Sequence, residues 1–142
     1  MKPYYKYLEH TADILFQAEA SSLEELFRQC ALAVEESMVD VQKVKPLRKV
    51  QIKHKNKNID YLLFDFLCDL NYYKDAKQLM FSKFDLEIKK VKDEYRLMCR
   101  AWGEKLDVNK HNPKVDIKAI TLHMFEVKQT KKGWFAQVLV DI

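Results

Sequence analysis

The sequence predicts a small α+β domain in which two amphipathic helices pack on a mostly antiparallel β-sheet, giving two layers. Two stretches carry apolar residues at helical spacing, and several shorter stretches alternate apolar and polar residues as strands do. Short polar segments separate neighbouring strand patterns in the second half of the chain, which is typical of antiparallel hairpins. Together these three observations favour the α+β class.

The first half of the chain is expected to contain both helices. A capping box begins the first helix, because Ser22 is followed three residues later by Glu25. The apolar stripe of this helix fades near Val39, and Pro46 marks a break after it. The predicted elements are strands at 5–10 and 13–20, a helix from 22 to about 39, a strand around 50–54 and a helix from about 58 to 75.

The second half of the chain is expected to consist of strands. Alternation over 84–89 and 95–101 flanks a short polar segment at 92–94, which predicts a hairpin. A polar loop is predicted over 105–114. The last two strands, at 115–128 and 134–140, carry apolar residues on both faces, as central strands often do.

The composition predicts a single soluble domain over residues 1–142. Hydrophobic residues make up 48% of the chain and charged residues 32%, which suits a real core under a solvated surface. No run approaches the roughly 20 apolar residues of a membrane-spanning helix. The N-terminus also lacks the apolar run of a signal peptide. We therefore expect a cytoplasmic protein with no membrane association.

A basic run occupies the stretch between Asp40 and Asp60, where no acidic residue occurs. It could contact phosphates or an acidic protein surface. The favoured interpretation is a solvated edge strand whose lysines prevent pairing with other chains. No aromatic residue interleaves with the basic ones, so stacking of bases on this run is unsupported. The run consists of Lys43, Lys45, Arg48, Lys49, Lys53, Lys55 and Lys57.

The end of the last predicted strand brings acidic groups together. Residues 135–142 contain one polar side chain, Gln137, before Asp141, so this strand should be buried and should hold the carboxylate of Ile142 near the body of the protein. That carboxylate and Asp141 repel each other unless a positive group joins them. A lysine or a metal ion would serve, and all-oxygen ligands suit hard cations such as calcium or magnesium.

Two further polar clusters are candidates for chemistry. His10-Thr11-Ala12-Asp13 lies between two predicted strands and is either a turn or a place where Asp13 binds a metal. Lys118 is expected on an apolar strand face, where it should extend to solvent or meet a carboxylate. The later cluster comprises Gly103, Glu104, Asp107, Lys110, His111, Lys118 and His123.

Several enzyme classes are disfavoured. The chain has only 2 glycines, too few for a phosphate-binding loop, and it lacks GxSxG, HExxH and kinase motifs. Asp65 and Asp69 lie one helical turn apart, but on the polar face of a helix, where solvation is the favoured interpretation. The three cysteines form no CxxC pair, so no thiolate metal site is indicated.

The ordered set of motifs resembles the archease family over essentially the whole chain. The sequence departs from the family pattern at two positions. Leu122 stands where the family usually has an aromatic residue, and Phe66 stands where it usually has tryptophan. Both replacements are apolar for apolar. The matching segments are 7–13 (YLEHTAD), 23–27, Leu62-Leu63 with Phe66-Leu67, 81–84, Gly103-Glu104, Lys110-His111, Lys118-Ala119-Ile120-Thr121 with His123, and Asp141-Ile142.

The resemblance implies a protein activator that is not itself an enzyme. Archeases assist the RtcB-type tRNA-splicing ligase, which attaches a guanylyl group from GTP to its own histidine by using manganese. The resemblance implies that this chain promotes that guanylylation, supports turnover and can broaden nucleotide use, with RNA as a further, indirect partner. The family's metal site corresponds to Asp13, Asp141 and Ile142, with calcium as the expected metal and magnesium or manganese as alternatives.

Two other functions remain open at this point. A metal-dependent hydrolase could bind zinc through His10, Asp13, His111 and His123, although their spacing matches no known motif. A chaperone-like module could instead bind exposed apolar surfaces or RNA, with the basic run as its contact surface.

Overall fold

The computed structural model describes residues 1–142 and contains two helices and seven strands. All the predicted elements are present, and the predicted α+β class is confirmed. The helices are α1 (Leu23–Met38) and α2 (Ile59–Lys77), and the strands are β1 (Tyr4–Leu8), β2 (Asp13–Ala20), β3 (Arg48–Asn56), β4 (Leu79–Val91), β5 (Glu94–Lys105), β6 (Ala119–Thr130) and β7 (Gly133–Asp141). Neither helix is long and apolar enough to cross a membrane.

The strands divide between two sheets in which every neighbouring pair is antiparallel. One sheet has the order β1-β2-β7-β6 and the other has the order β3-β5-β4. Each helix contacts strands of both sheets. The two helices therefore join the sheets, and the apolar residues that pack between these elements form the main core.

The capping residue predicted for α1 is the one observed. The Ser22 side chain accepts a hydrogen bond from the backbone N–H of Glu25 at 3.2 Å, which satisfies one donor at the start of the helix. The Glu25 carboxylate pairs with Arg28 on the next turn. Only the first half of a capping box is therefore formed. Helix α1 ends at Met38, with Val39 as its C-cap, close to the predicted end.

Glu35 of α1 is an acidic residue buried entirely in the core. Its Oε1 accepts a hydrogen bond from the Phe81 N–H at 2.6 Å, and its Oε2 has no partner. Burial raises the pKa of Glu35 to about 8, although the Phe81 N–H and the charge of Lys74 oppose that rise. The carboxyl group is therefore mostly protonated at neutral pH, so the core does not hold a full negative charge.

Gly103 permits close packing between β4 and β5. A Cβ atom at this position would lie 1.7 Å from the carbonyl oxygen of Met80, so no larger residue fits without backbone movement. The register of the β4–β5 pair shifts nearby, between Phe81 and Lys83. Such a shift bends a strand, and here it lies beside Phe81, whose N–H donates the hydrogen bond to Glu35.

The prediction for the strand that became β6 was wrong in two respects. The strand begins at Ala119 instead of residue 115, and it is an edge strand, not a central one. Its pairing with β7 is interrupted between Thr121 and Glu126, and Leu122 and Met124 are exposed in this bulge. The run from 115 to 128 has apolar residues on both faces, but its residues between Thr121 and Glu126 do not pair regularly with β7, so this pattern does not indicate a central strand.

The prediction that Lys118 lies on a strand face was wrong, because this residue precedes β6, whereas the expected extension of its side chain to solvent is observed. Its side chain is exposed and makes no ion pair. Its backbone has a defined role instead, since its C=O accepts a hydrogen bond from the Asn71 side chain at 3.2 Å. The loop predicted over 105–114 is observed over 106–118, because β5 extends to Lys105.

Candidate functional site

Asp13 and Asp141 face each other at one end of the four-stranded sheet. They are directly opposite in the antiparallel register of β2 and β7, although 128 positions separate them in the sequence. Directly opposite residues have Cβ atoms about 4.5–5.5 Å apart and project from the same sheet face. Strand β1 pairs with β2 only as far as Leu8 and Leu15, so no neighbouring strand covers Asp13 on that side.

The two carboxylates receive little compensation from the protein. The nearest cationic group is His10, whose Nδ1 lies 3.7 Å from Oδ2 of Asp13, and this ring is charged only when protonated. The Asp141 side chain makes no ion pair and accepts no hydrogen bond, and the Asp13 side chain is 27% exposed. Like charges directly opposite each other destabilise a sheet, so this end of the sheet favours a bound cation.

Backbone contacts fix the position of Asp141. Its carbonyl oxygen accepts a hydrogen bond from the Lys118 N–H at 2.8 Å, and Ala119 of β6 is directly opposite it on the other side from Asp13. Ile142 follows, half-buried and packed against the core. The side chain of Ile142 thus anchors the end of β7, and its main-chain oxygen is one residue from the acidic pair.

The donor set of this site suits a hard divalent cation. The side chains of Asp13 and Asp141 offer carboxylate oxygens and Ile142 offers main-chain oxygen, which are ligands that calcium and magnesium prefer. No three side chains of His, Cys, Asp or Glu gather anywhere in the chain as a metal cluster. A cation held by Asp13 and Asp141 would therefore take its further ligands from main-chain oxygens and water.

A pocket of about 230 Å³ adjoins Asp13, and sequence reasoning did not identify its other polar residues. Tyr7 donates a hydrogen bond from its hydroxyl to the carbonyl oxygen of Ala33 at 2.7 Å. Glu36 is held by Lys114, whose Nζ lies 3.1 Å from Oε1. Glu36 is thus already neutralised, whereas the Asp13–Asp141 pair beside this pocket has no lysine or arginine partner.

The predicted cluster around Glu104 forms a separate, structural network. Oε2 of Glu104 accepts hydrogen bonds from Lys110 Nζ at 2.7 Å, from the Lys45 N–H at 2.7 Å and from His111 Nε2 at 2.9 Å. Burial alone would raise the pKa of this carboxyl group. The three donors, with Lys110 contributing most among them, outweigh burial and lower the pKa to about 2.

His111 is fully buried, and both of its ring nitrogens are in use. Nδ1 accepts a hydrogen bond from the Asp107 N–H at 2.9 Å, so Nε2 carries the proton that is donated to Glu104. His123 is exposed on the β6 bulge, and His10 lies beside Asp13. The structure therefore does not gather the four residues of the zinc site considered above.

Asp69 has a partner that the sequence did not indicate. His54 Nε2 on β3 lies 2.7 Å from Oδ2 of Asp69 on α2, which links the edge strand to the helix. Asp65 makes no such contact. The two aspartates predicted on a solvated helix face thus differ, because tertiary packing brings a histidine to one of them.

Comparison with known proteins identifies relatives along the whole chain. The sequence profile of the Archease protein family matches residues 5–142. Protein archease of Pyrococcus abyssi is 37% identical over 139 residues, which cover 97% of this chain and 98% of the relative. Protein archease of Methanosarcina barkeri is also 37% identical, over 97% of this chain and 95% of the relative.

Two solved structures share the fold. The solution structure of protein 1598 of Methanobacterium thermoautotrophicum is similar with a TM-score of 0.86 and 30% identity, over 97% of this chain and 98% of that one. A crystal structure from Thermotoga maritima, described as an archease and possible chaperone, has a TM-score of 0.61 and 20% identity over 96% of each chain. At that lower identity, the second similarity concerns the fold alone.

Proposed function

The chain belongs to the archease family, and on that premise we propose that it is an accessory protein for RNA ligation that activates an RtcB-type tRNA-splicing ligase. In this proposal it promotes transfer of a guanylyl group from GTP to the ligase, supports repeated turnover and broadens the nucleotides that the ligase accepts. The chain itself catalyses no reaction.

The observation that carries the proposal is the placement of Asp13 opposite Asp141 at an open end of the sheet. A carboxylate pair whose only nearby cationic side chain is His10, which is charged only when protonated, is poorly suited to a purely structural role, since it destabilises the sheet. The same pair is well suited to contact a cation at the interface with another protein. It also fits the absence of a glycine-rich phosphate loop, because the nucleotide chemistry would then reside in the ligase.

We assign the cation to Asp13, Asp141 and the main-chain oxygen of Ile142, with calcium as the first choice and magnesium or manganese as alternatives. Bound there, the ion would supply positive charge that joins the two carboxylates. The residues of this chain then act in one of two ways. They present an acidic tip to the ligase active site and help to place a metal or nucleotide there, or they fix the end of β7 as part of a docking surface.

The test measures guanylylation of a purified ligase with radiolabelled GTP, with and without this protein. Asp13→Asn and Asp141→Asn should each abolish the stimulation while the circular dichroism spectrum remains that of the wild type. Asp65→Asn is the matched control, because it removes one aspartate carboxylate from a position with no charged partner. This control should stimulate the ligase normally.

Normal stimulation by both site variants would contradict the proposal. A chaperone-like role is the second candidate, because Leu122 and Met124 are large apolar side chains left 52% and 41% exposed on β6. In that case a Leu122→Ser/Met124→Ser variant should lose the stimulation that the aspartate variants keep. The same assay thus separates the two functions.

A further inference from the structure

The outer face of the three-stranded sheet is strongly basic. Strand β5 lies between β3 and β4, and alternate residues of all three strands project to the same exposed side, which we call the basic sheet face. Asp85, Glu87 and Glu94 are its acidic residues. Its basic residues are Lys49, Lys53, Lys55, Lys83, Lys89, Arg96 and Arg100.

The acidic residues of this face already pair with basic residues, whereas the lysines of its edge strand β3 have no acidic partner. Asp85 accepts a hydrogen bond from Arg100 at 3.2 Å, and Glu87 lies 2.9 Å from Lys89. Glu94 accepts a hydrogen bond from Arg96 at 3.3 Å. The three lysines of β3 on this face make no ion pair. They lie on the edge strand β3, where Lys53 and Lys55 are about 6.6 Å apart and Gln51 separates Lys49 from Lys53 by about 13 Å. The edge strand therefore presents a row of three positive charges that no acidic side chain compensates.

An aromatic ring lies beside this row, although the sequence around the lysines contains none. Trp102 of β5 is directly opposite Lys49, and Met98 is directly opposite Lys53. The Nζ atom of Lys83 lies 4.7 Å from the centroid of the Trp102 ring. The half-buried indole is thus held on the basic sheet face, where a nucleic acid base could contact it.

We propose that the basic sheet face binds single-stranded RNA, with phosphates along the lysine row of β3 and a base against Trp102. Charge complementarity selects a polyanion, and the indole adjacent to the lysine row favours a nucleic acid strand over an acidic protein surface. The choice of RNA as the nucleic acid rests on the proposed function. None of these residues belongs to the Asp13–Asp141 site, so the two surfaces are tested separately.

The binding test uses a fluorescein-labelled single-stranded RNA of roughly 12 nucleotides, within the usual site size for such surfaces, and contains no ligase. Each phosphate contact contributes about 0.7 to the slope of log affinity against log salt for single strands. The variant Lys49→Gln/Lys53→Gln/Lys55→Gln should therefore lower that slope by about 2. The control Lys2→Gln/Lys131→Gln/Lys132→Gln removes the same charge from exposed, unpaired lysines elsewhere and should leave the slope unchanged.

Tryptophan fluorescence locates the contact. The chain has 2 tryptophans, and Trp134 lies on β7 in the other sheet, so Trp134→Phe leaves Trp102 as the sole emitter. Saturating RNA should quench this emission. The proposal is overturned if RNA does not bind at low salt, if the lysine variant binds like the wild type, or if Trp102 emission is unchanged in the saturated complex.

An acidic protein surface as the true partner gives a different result. Guanylylation of the ligase with GTP requires no RNA, so the lysine variant should stimulate that step normally if RNA is the ligand. Loss of that stimulation, together with intact RNA binding, would assign the face to the ligase and overturn the proposal. Failure of the wild-type protein to stimulate any ligase would count against the proposed function only, since the RNA-binding measurement contains no ligase.

Discussion

Two acidic sites of this protein use the same chemical group in opposite ways. Glu104 is surrounded by donors, because Lys110, the Lys45 N–H and His111 all reach one of its oxygens. Asp13 and Asp141 face each other across two strands, with only His10 nearby at 3.7 Å. The first carboxylate is compensated by the protein itself, whereas the second pair is not.

This difference shows how acidic residues that stabilise the fold of a small domain can be distinguished from acidic residues that bind a ligand. A carboxylate whose charge is compensated by internal donors stabilises the fold. A pair of carboxylates left without donors weakens the fold unless a ligand supplies the charge. The Glu104 network should therefore respond to mutation through stability, and the Asp13–Asp141 site should respond through binding.

The largest expected effect on stability is that of Glu104→Ala. Removing this carboxylate leaves the buried N–H of His111 without an acceptor and releases the lysine contacts, which should lower the free energy of unfolding by about 3 kcal/mol. Urea denaturation at pH 7 measures this change. The variant should still stimulate the ligase at temperatures where it remains folded, since Glu104 lies outside the Asp13–Asp141 site.

The pH dependence of the free energy of unfolding tests this explanation for Glu104. Its pKa of about 2 in the folded protein lies below its ordinary value of 4.5, so its contribution to stability is complete above about pH 4.5 and is lost as the pH falls toward 2. The gap between wild type and Glu104→Ala should shrink over that range. Glu87→Ala, which removes an exposed ion pair with Lys89, should produce little change at any pH. A constant gap for Glu104→Ala would contradict this explanation.

Local patterns made the helices and most strands predictable, but not the partners of polar side chains. Ser22 and the 13–20 strand were identified because capping and alternation are properties of neighbouring residues. The pairing of His54 with Asp69 depends on how β3 packs on α2, which no local pattern encodes. The bulge in β6 was missed for a related reason, since its apolar residues look like those of a central strand.

The next largest expected effect is stabilisation of the fold by calcium, which should depend on the Asp13–Asp141 site and not on Glu104. If calcium binds the Asp13–Asp141 site, a free concentration 100-fold above Kd should stabilise the wild-type protein by about 2.7 kcal/mol. Asp141→Asn should remove most of this gain, whereas Glu104→Ala should keep it. Thermal unfolding with and without calcium, after treatment with a chelator, measures both responses. A calcium gain retained in Asp141→Asn would place the ion elsewhere.

The candidate site itself was only partly readable from the sequence. Asp141 and Ile142 drew attention because an acidic residue ends an apolar strand, and Asp13 joined them through a family resemblance. Their proximity depends on the pairing of β2 with β7, which are separated by most of the chain. The stacking residue of the basic sheet face was missed for the same reason, because Trp102 reaches the lysine row only through the register of β3 and β5.

The smallest expected effect is the change in stability of Asp141→Asn without calcium, and it is the most selective test of the difference between the Asp13–Asp141 site and Glu104. In chelator-treated protein, Asp141→Asn removes one of two like charges that are directly opposite each other, so it should stabilise the fold by up to about 1 kcal/mol. The sign matters more than the size, because an aspartate with a structural role like that of Glu104 would lose stability on the same substitution. Asp65→Asn again serves as the control and should leave the free energy of unfolding nearly unchanged. A clear loss of stability in Asp141→Asn without calcium would mean that the protein compensates this carboxylate internally, and the reason for expecting a cation there would disappear.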